Sequence, residues 1–164
     1  MSEQEPQGPP SGAPSETPSA TPAWATQGPS GPRASFGRRF VAYLIDVILI
    51  GIVGGVLVAI FDTGVGYGLD LLVGIAYFGY LEGGPRGQTL GKMALGIRVV
   101  DFSSGGPIGY GRAFIRSIGR ILSTIVFLLG YLWMLWDKEK QTWHDKFANS
   151  VVVPESAYPV EKWP

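Results

Sequence analysis

The chain has 164 residues, of which 46% are hydrophobic and only 16% charged, enough for one domain of ordinary size. It contains no cysteine and a single histidine, His144, which excludes disulfide scaffolds, thiolate zinc sites, iron–sulfur ligation, cysteine nucleophiles and any multi-histidine metal centre. Thirteen Lys and Arg balance 13 Asp and Glu, so bulk charge does not draw the chain to nucleic acid.

Residues 1–35 hold eight of the 13 prolines and, apart from Trp24, no large apolar side chain before the final turn into the oily region. Such a stretch cannot bury enough surface to offset backbone ordering, and it reads as a disordered leader. A signal peptide is a poor match, because a long proline-rich arm precedes the apolar run and further apolar segments follow it. The leader is therefore expected to act as a tether, with docking of a cytoplasmic partner as its alternative use.

Residues 41–61 carry one charge, Asp46, in an otherwise apolar stretch. At ~1.5 Å per residue the stretch is about 31 Å long and matches the hydrocarbon core, so a transmembrane helix over about 38–61 is expected. Gly51, Gly55 and Ala59 recur every fourth residue. That stripe suits close helix packing and is the expected seam of a homo-oligomer, though it also fits a merely flexible helix. A second span follows over about 65–82, with Asp70 near its start, where a carboxylate is favoured by the helix dipole. The short link makes the two spans an antiparallel hairpin. Arg33, Arg38 and Arg39 precede it and Arg86, Lys92 and Arg98 follow it, while the link has no Lys or Arg. The positive-inside bias then puts the N-terminus and the middle loop in the cytoplasm.

The third apolar run, residues 113–136, opens with Arg112, Arg116 and Arg120 spaced by four on one helix face. One reading is a third transmembrane helix, with Arg116 and Arg120 snorkelling to the cytoplasmic surface and Tyr131, Trp133 and Trp136 in the far interface. The other lays the arginine half in the interface while the remainder dips in and out. A partial repeat bears on the choice. Gln88-Thr89 followed by Val99-Val100 returns as Gln141-Thr142 followed by Val152-Val153. Each copy reads as a turn leading into a short strand, and pairing of the two strands requires both on one face of the membrane. Three full crossings forbid that.

Three motifs in order, R-R-F-V-A-Y-L-I-D at residues 38–46, G-Q-T-L-G-K-M-A-L-G-I-R-V-V-D at 87–101 and W-H-D-K-F-A-N-S-V-V-V at 143–153, resemble those of the RDD family of bacterial integral membrane proteins. The resemblance covers residues 35–153, and its arginine and two aspartates fall on Arg39, Asp46 and Asp145. It implies a multi-pass protein of the bacterial plasma membrane and a part in the transport of small ions or protons. It brings no catalytic activity.

The residues thus describe an all-α membrane protein: a leader at 1–35, a transmembrane domain at 36–153 and a short tail at 154–164. The expected polar site combines Arg39, Asp46, Asp145, Arg116 and Arg120. An acid about 7.5 Å inside a span must find a cation, stay protonated or face water. Arg116 and Arg120 lie at a depth to meet Asp46, and the pairing serves either an ion pathway or a permanent pin between helices. Clustered arginines beside a membrane also suit anionic lipid headgroups, which makes a non-transporting adaptor the alternative function.

No cofactor site is legible. Gly87 and Gly91 are too close for a P-loop, and Lys92 is followed by Met93. The adjacent His144 and Asp145 cannot form an oriented hydrolytic dyad and there is no G-x-S-x-G elbow, so the chain does not read as an enzyme.

Overall fold

The structure is a computed structural model that describes residues 30–126 and 129–158. Residues 1–29, which make up most of the proline-rich leader, lie outside the described residues, as do 159–164 of the tail. The last residues of the leader belong to the fold. Ala34 is buried and its N–H donates to Val152 O at 2.8 Å, and Arg33 pairs with Glu139.

Helix α1 is Phe36–Ile60 and α2 is Thr63–Gly83, joined by two residues. Ser35 caps α1, and the Asp62 carboxylate accepts from the Gly64 and Val65 N–H groups to start α2. Both are long and apolar enough to cross a membrane. They pack against each other where side chains are smallest, with Gly54 against the Asp70 carboxylate and Gly66 against Val58. Asp62, not Asp70, is therefore the capping acid, and Asp70 lies two turns inside α2, facing α1. The Gly51, Gly55 and Ala59 stripe is exposed, and a Cβ at Gly51 or Gly55 would meet nothing within 4 Å.

Beyond α2 the chain forms α3 (Leu90–Ala94), β1 (Ile97–Asp101), α4 (Tyr110–Ile125), α5 (Leu129–Leu132) continued by a 3-10 turn (Trp133–Leu135), α6 (Trp143–Phe147) and β2 (Ser150–Pro154). Strands β1 and β2 pair antiparallel, Ile97 opposite Pro154 and Asp101 opposite Ser150. Gln88 Nε2 donates to Ile97 O and Gln141 Nε2 to Ser150 O, while Thr89 and Thr142 each cap the five-residue helix that follows. The partial repeat is thus one structural unit used twice, and its two copies meet at the Val99–Val152 pair.

The third run differs from a single straight span. The axes of α4 and of the segment Leu129–Leu135 differ by 112°. Close return is possible because Gly130 has no side chain: a Cβ there would overlap Ser123. The strands before and after this run are paired, so the chain leaves the small sheet and comes back to it. Tyr131 also turns inward, its ring on Tyr43 and His144 instead of in an interfacial belt. Helix α4 is inside-out by the standard of a soluble helix. Phe114, Ile115, Ile118, Leu122 and Ile125 are exposed, whereas Ala113, Arg116, Ser117, Gly119, Arg120 and Ser123 are buried. An exposed apolar face of this extent beside the hairpin is suited to lipid.

Candidate functional site

At the end of the hairpin where its termini lie, α1, α2, α3, α4 and α6 enclose a cluster of charged side chains. Its centre is Glu82, in the last turn of α2 and fully buried. Lys92 Nζ reaches Glu82 Oε1 at 2.7 Å, Arg120 Nη2 reaches the same oxygen at 2.8 Å, and Arg116 Nε stands 2.9 Å from Oε2. Phe78, one turn earlier on α2, offers its ring to the Arg120 guanidinium at 3.9 Å.

Arg116 links this centre to Asp145, which pairs with Arg116 Nη1 at 2.5 Å and with Arg39. Asp145 is the third helical residue of α6 and closes its capping box: its carboxylate accepts from Thr142 N–H while Thr142 Oγ1 accepts from Asp145 N–H. Ser150, at the start of β2, accepts from Arg116 Nη1 at 2.8 Å. Burial pushes the Asp145 carboxyl up, but Arg116 and Arg39 outweigh it and hold the group well below the usual carboxylate range. His144 is buried beside it, and burial drives the imidazole well below its ordinary value. Burial likewise lowers Lys92, against the pull of Glu82.

Asp46 stands apart from the cations. Its carboxylate accepts from Tyr77 OH at 2.7 Å, Thr89 Oγ1 at 2.6 Å and Gly91 N–H at 2.8 Å, and among the described residues no cation comes within ion-pair distance. Gly91 is required for this approach, because a Cβ there would overlap the Ala42 carbonyl oxygen. The five residues read from the sequence as one polar site are therefore divided. Arg39, Asp145 and Arg116 are in direct contact, Arg120 joins them through Glu82, and Asp46 is linked to them through neutral donors of α3, the Gly91 N–H and the Thr89 hydroxyl that also caps the helix ahead of Lys92.

The pairing of Asp46 with Arg116 or Arg120 is replaced because both guanidiniums point into the protein toward Glu82 instead of snorkelling outward. Arg112 alone of the three turns away, to Asp101. Sequence reasoning missed Glu82, Lys92, Tyr77 and Thr89. A lone acid at the end of an apolar run facing a helix with arginines every four residues was the signal available for Glu82.

Two cavities flank the cluster. One, of about 200 Å³, is lined by the cations Arg39, Lys92, Arg116 and Arg120, by Thr142 and His144, and by the apolar and aromatic side chains of α1 and of residues 131–134. The second, of about 250 Å³, runs between α1, α2 and α4 from Arg120 to Asp70. Tyr43 and Arg120 line both. Among the described residues no group of three His, Asp or Glu side chains could hold a metal ion.

No solved structure matches the chain. A proline-rich antigen homolog of Mycobacterium tuberculosis (strain ATCC 25618 / H37Rv) is 36% identical over 85 residues, covering 49% of this chain and 35% of that protein. The proline-rich antigen of Mycobacterium leprae (strain TN) is 31% identical over 77 residues, 47% of this chain and 30% of its own length. The chain thus spans about a third of the length of these mycobacterial relatives. The Bacillus subtilis (strain 168) membrane protein YteJ is 30% identical over 139 residues, 76% of this chain and 83% of YteJ. The sequence model of the RDD family matches residues 33–149, the stretch that carries the hairpin, the charge cluster, the first copy of the repeated unit and the second up to the start of its strand. The chain belongs to the RDD family and is a membrane protein.

Proposed function

We propose that this RDD-family protein moves small ions or protons across the bacterial plasma membrane, with its N-terminus and the charge cluster on the cytoplasmic side. The orientation is supported by the basic residues at that end of the hairpin and by a tip that bears Asp62 and no cation. The observation that carries the transport reading is the cleft between Asp70 and Arg120. Asp70 lies ~10 Å from the start of α2, one of its carboxylate oxygens is buried without a hydrogen-bond partner, and no ion pair satisfies it among the described residues. A carboxylate at that depth needs a proton, a cation or water, and the cleft has room for any of these. No catalytic step is part of the reading.

The exposed Gly51, Gly55 and Ala59 stripe supplies the seam for a homo-oligomer, which a pathway between so few helices calls for. In proteoliposomes carrying a pH-sensitive dye, a sodium or potassium gradient is expected to drive proton flux in the full chain. Asp70→Asn should lower that flux at least tenfold, and removal of residues 1–29 should leave it unchanged. Background flux in the parent protein, or full flux in Asp70→Asn, would overturn the reading; an adaptor that works through the leader predicts the first of these.

A further inference from the structure

The charge cluster does not balance. Four cations, Arg39, Lys92, Arg116 and Arg120, are held by two carboxylates, Glu82 and Asp145. Counting Asp46, which no cation touches, still leaves a surplus of one positive charge. All four side chains are nearly or fully buried, with Arg116 at 1% and Lys92 and Arg120 at 6% exposure. A buried surplus of this kind is costly unless an anion joins it. Arg120 shows where an anion is missing. Its Nη2 is spent on Glu82, but Nη1 is buried without a hydrogen-bond partner, and Arg120 is among the residues lining the cavity of about 200 Å³. All four cations of the cluster line that cavity.

The rest of the lining says what the anion is attached to. Beside the cations, Thr142 and His144, the lining is apolar and aromatic, made by Phe36, Phe40, Tyr43, Tyr131, Leu132 and Met134. Phe40 is 54% exposed and follows the first turn of α1, next to the apolar face formed by Leu44, Ile48 and Ile52. An occupant with its charge at Arg120 therefore continues past Phe40 along a surface suited to acyl chains. A free phosphate would satisfy the cations and leave the apolar lining bare. A neutral lipid would do the reverse.

We propose that this cavity binds an anionic amphiphile drawn sideways from the bilayer, with a phosphate or carboxylate head on Arg120, Arg39 and Lys92 and the first part of an acyl chain against Phe40, Leu132 and Met134. The proposal does not depend on ion movement, and its readout is separate from flux.

The full chain, purified in a neutral maltoside detergent, is mixed with equal amounts of phosphatidylglycerol and phosphatidylcholine of the same acyl composition and examined by native mass spectrometry. Phosphatidylglycerol should be retained at least tenfold over phosphatidylcholine, and millimolar inorganic phosphate should neither displace it nor raise the unfolding temperature by itself. Leu132→Trp, which adds bulk to the apolar lining and leaves all four cations in the chain, should cut phosphatidylglycerol retention at least tenfold. In the parent chain, phosphatidylglycerol with a photoreactive group near the head of its acyl chain should crosslink to residues 36–43 and 131–134, a measurement that stands even if Leu132→Trp does not fold. Equal retention of the two lipids, complete substitution by inorganic phosphate, retention unchanged in a folded Leu132→Trp protein, or crosslinks confined to the outer faces of α1 and α2 would each overturn the proposal.

Discussion

The unit from Gln88 to Asp101 and the unit from Gln141 to Pro154 share one backbone and carry opposite charges at the same place. In each, a glutamine amide reaches over to the first carbonyl of its own strand, a threonine caps a five-residue helix, and a residue with positive φ, Gly96 or Asn149, turns the chain into the strand. The third helical residue is Lys92 in the first unit and Asp145 in the second. Lys92 is directed to the carboxylate of α2, and Asp145 to the guanidiniums of α1 and α4. The lesson is that backbone repetition builds the platform, while reversed charge at one position lets the platform grip two differently charged helical surfaces. Asp46 uses the first unit in another way, as a set of neutral donors.

Stranding the cations on either side tests that division most severely. Glu82→Gln removes the carboxylate shared by Lys92, Arg116 and Arg120, and leaving buried charges without their partner is expected to cost about 3–5 kcal/mol in detergent-based unfolding. Asp145→Asn affects two cations and should cost less than Glu82→Gln; the reverse order would break the picture of Glu82 as the centre.

The threonine caps sharpen the same comparison. Thr142→Ala should cost the usual ~1 kcal/mol of a lost cap. Thr89→Ala also deprives Asp46 of a 2.6 Å hydrogen bond and should cost about 2–3 kcal/mol. Equal losses would mean that the Asp46 contact contributes nothing.

The second unit alone contains a histidine, the only one in the chain. Burial holds the folded His144 imidazole below its unfolded value of ~6.5. The unfolded chain therefore binds the proton more readily, so stability is fully present above pH ~6.5 and declines as the pH falls below it, by at most about 1.4 kcal/mol per pH unit. His144→Gln should flatten the profile between pH 6.5 and 5, above the range where carboxylates titrate; an unchanged slope would contradict the buried neutral state.

The smallest effect is at the turn. Asn149 sits at φ 45° where its counterpart Gly96 sits at 59°. Asn149→Gly should stabilise by about 0.5 kcal/mol or leave stability unchanged, and a loss above ~1 kcal/mol would assign Asn149 a role beyond the turn, such as its 3.0 Å bond to Ser103.

How much of this was readable in the sequence follows from range. The hairpin was, because a span is a local property of some twenty residues. So was the repeated unit, whose Gln-Thr and Val-Val pairs mark the cap and the strand. The course of residues 113–136 was not, since hydropathy counts the apolar side chains of α4 without revealing that they face outward while Arg116 and Arg120 face Glu82. The surroundings of Asp46 were not either. Tyr77 and Thr89 are 31 and 43 residues away, and no local spacing announces that two hydroxyls and a glycine amide will occupy the place expected for an arginine.

The paired strands make a topological claim that a cysteine-free chain can answer directly. Single cysteines at Ser103, Ser156 and Thr63, all exposed, mark the turn after β1, the turn after β2 and the tip of the hairpin. In oriented membrane vesicles a membrane-impermeant maleimide should label Ser103→Cys and Ser156→Cys from one face and Thr63→Cys from the other. Labelling of Ser103→Cys and Ser156→Cys from opposite faces would mean that the third run crosses the bilayer, and the sheet, the Arg39–Asp145 pair and the site built on them would fall together.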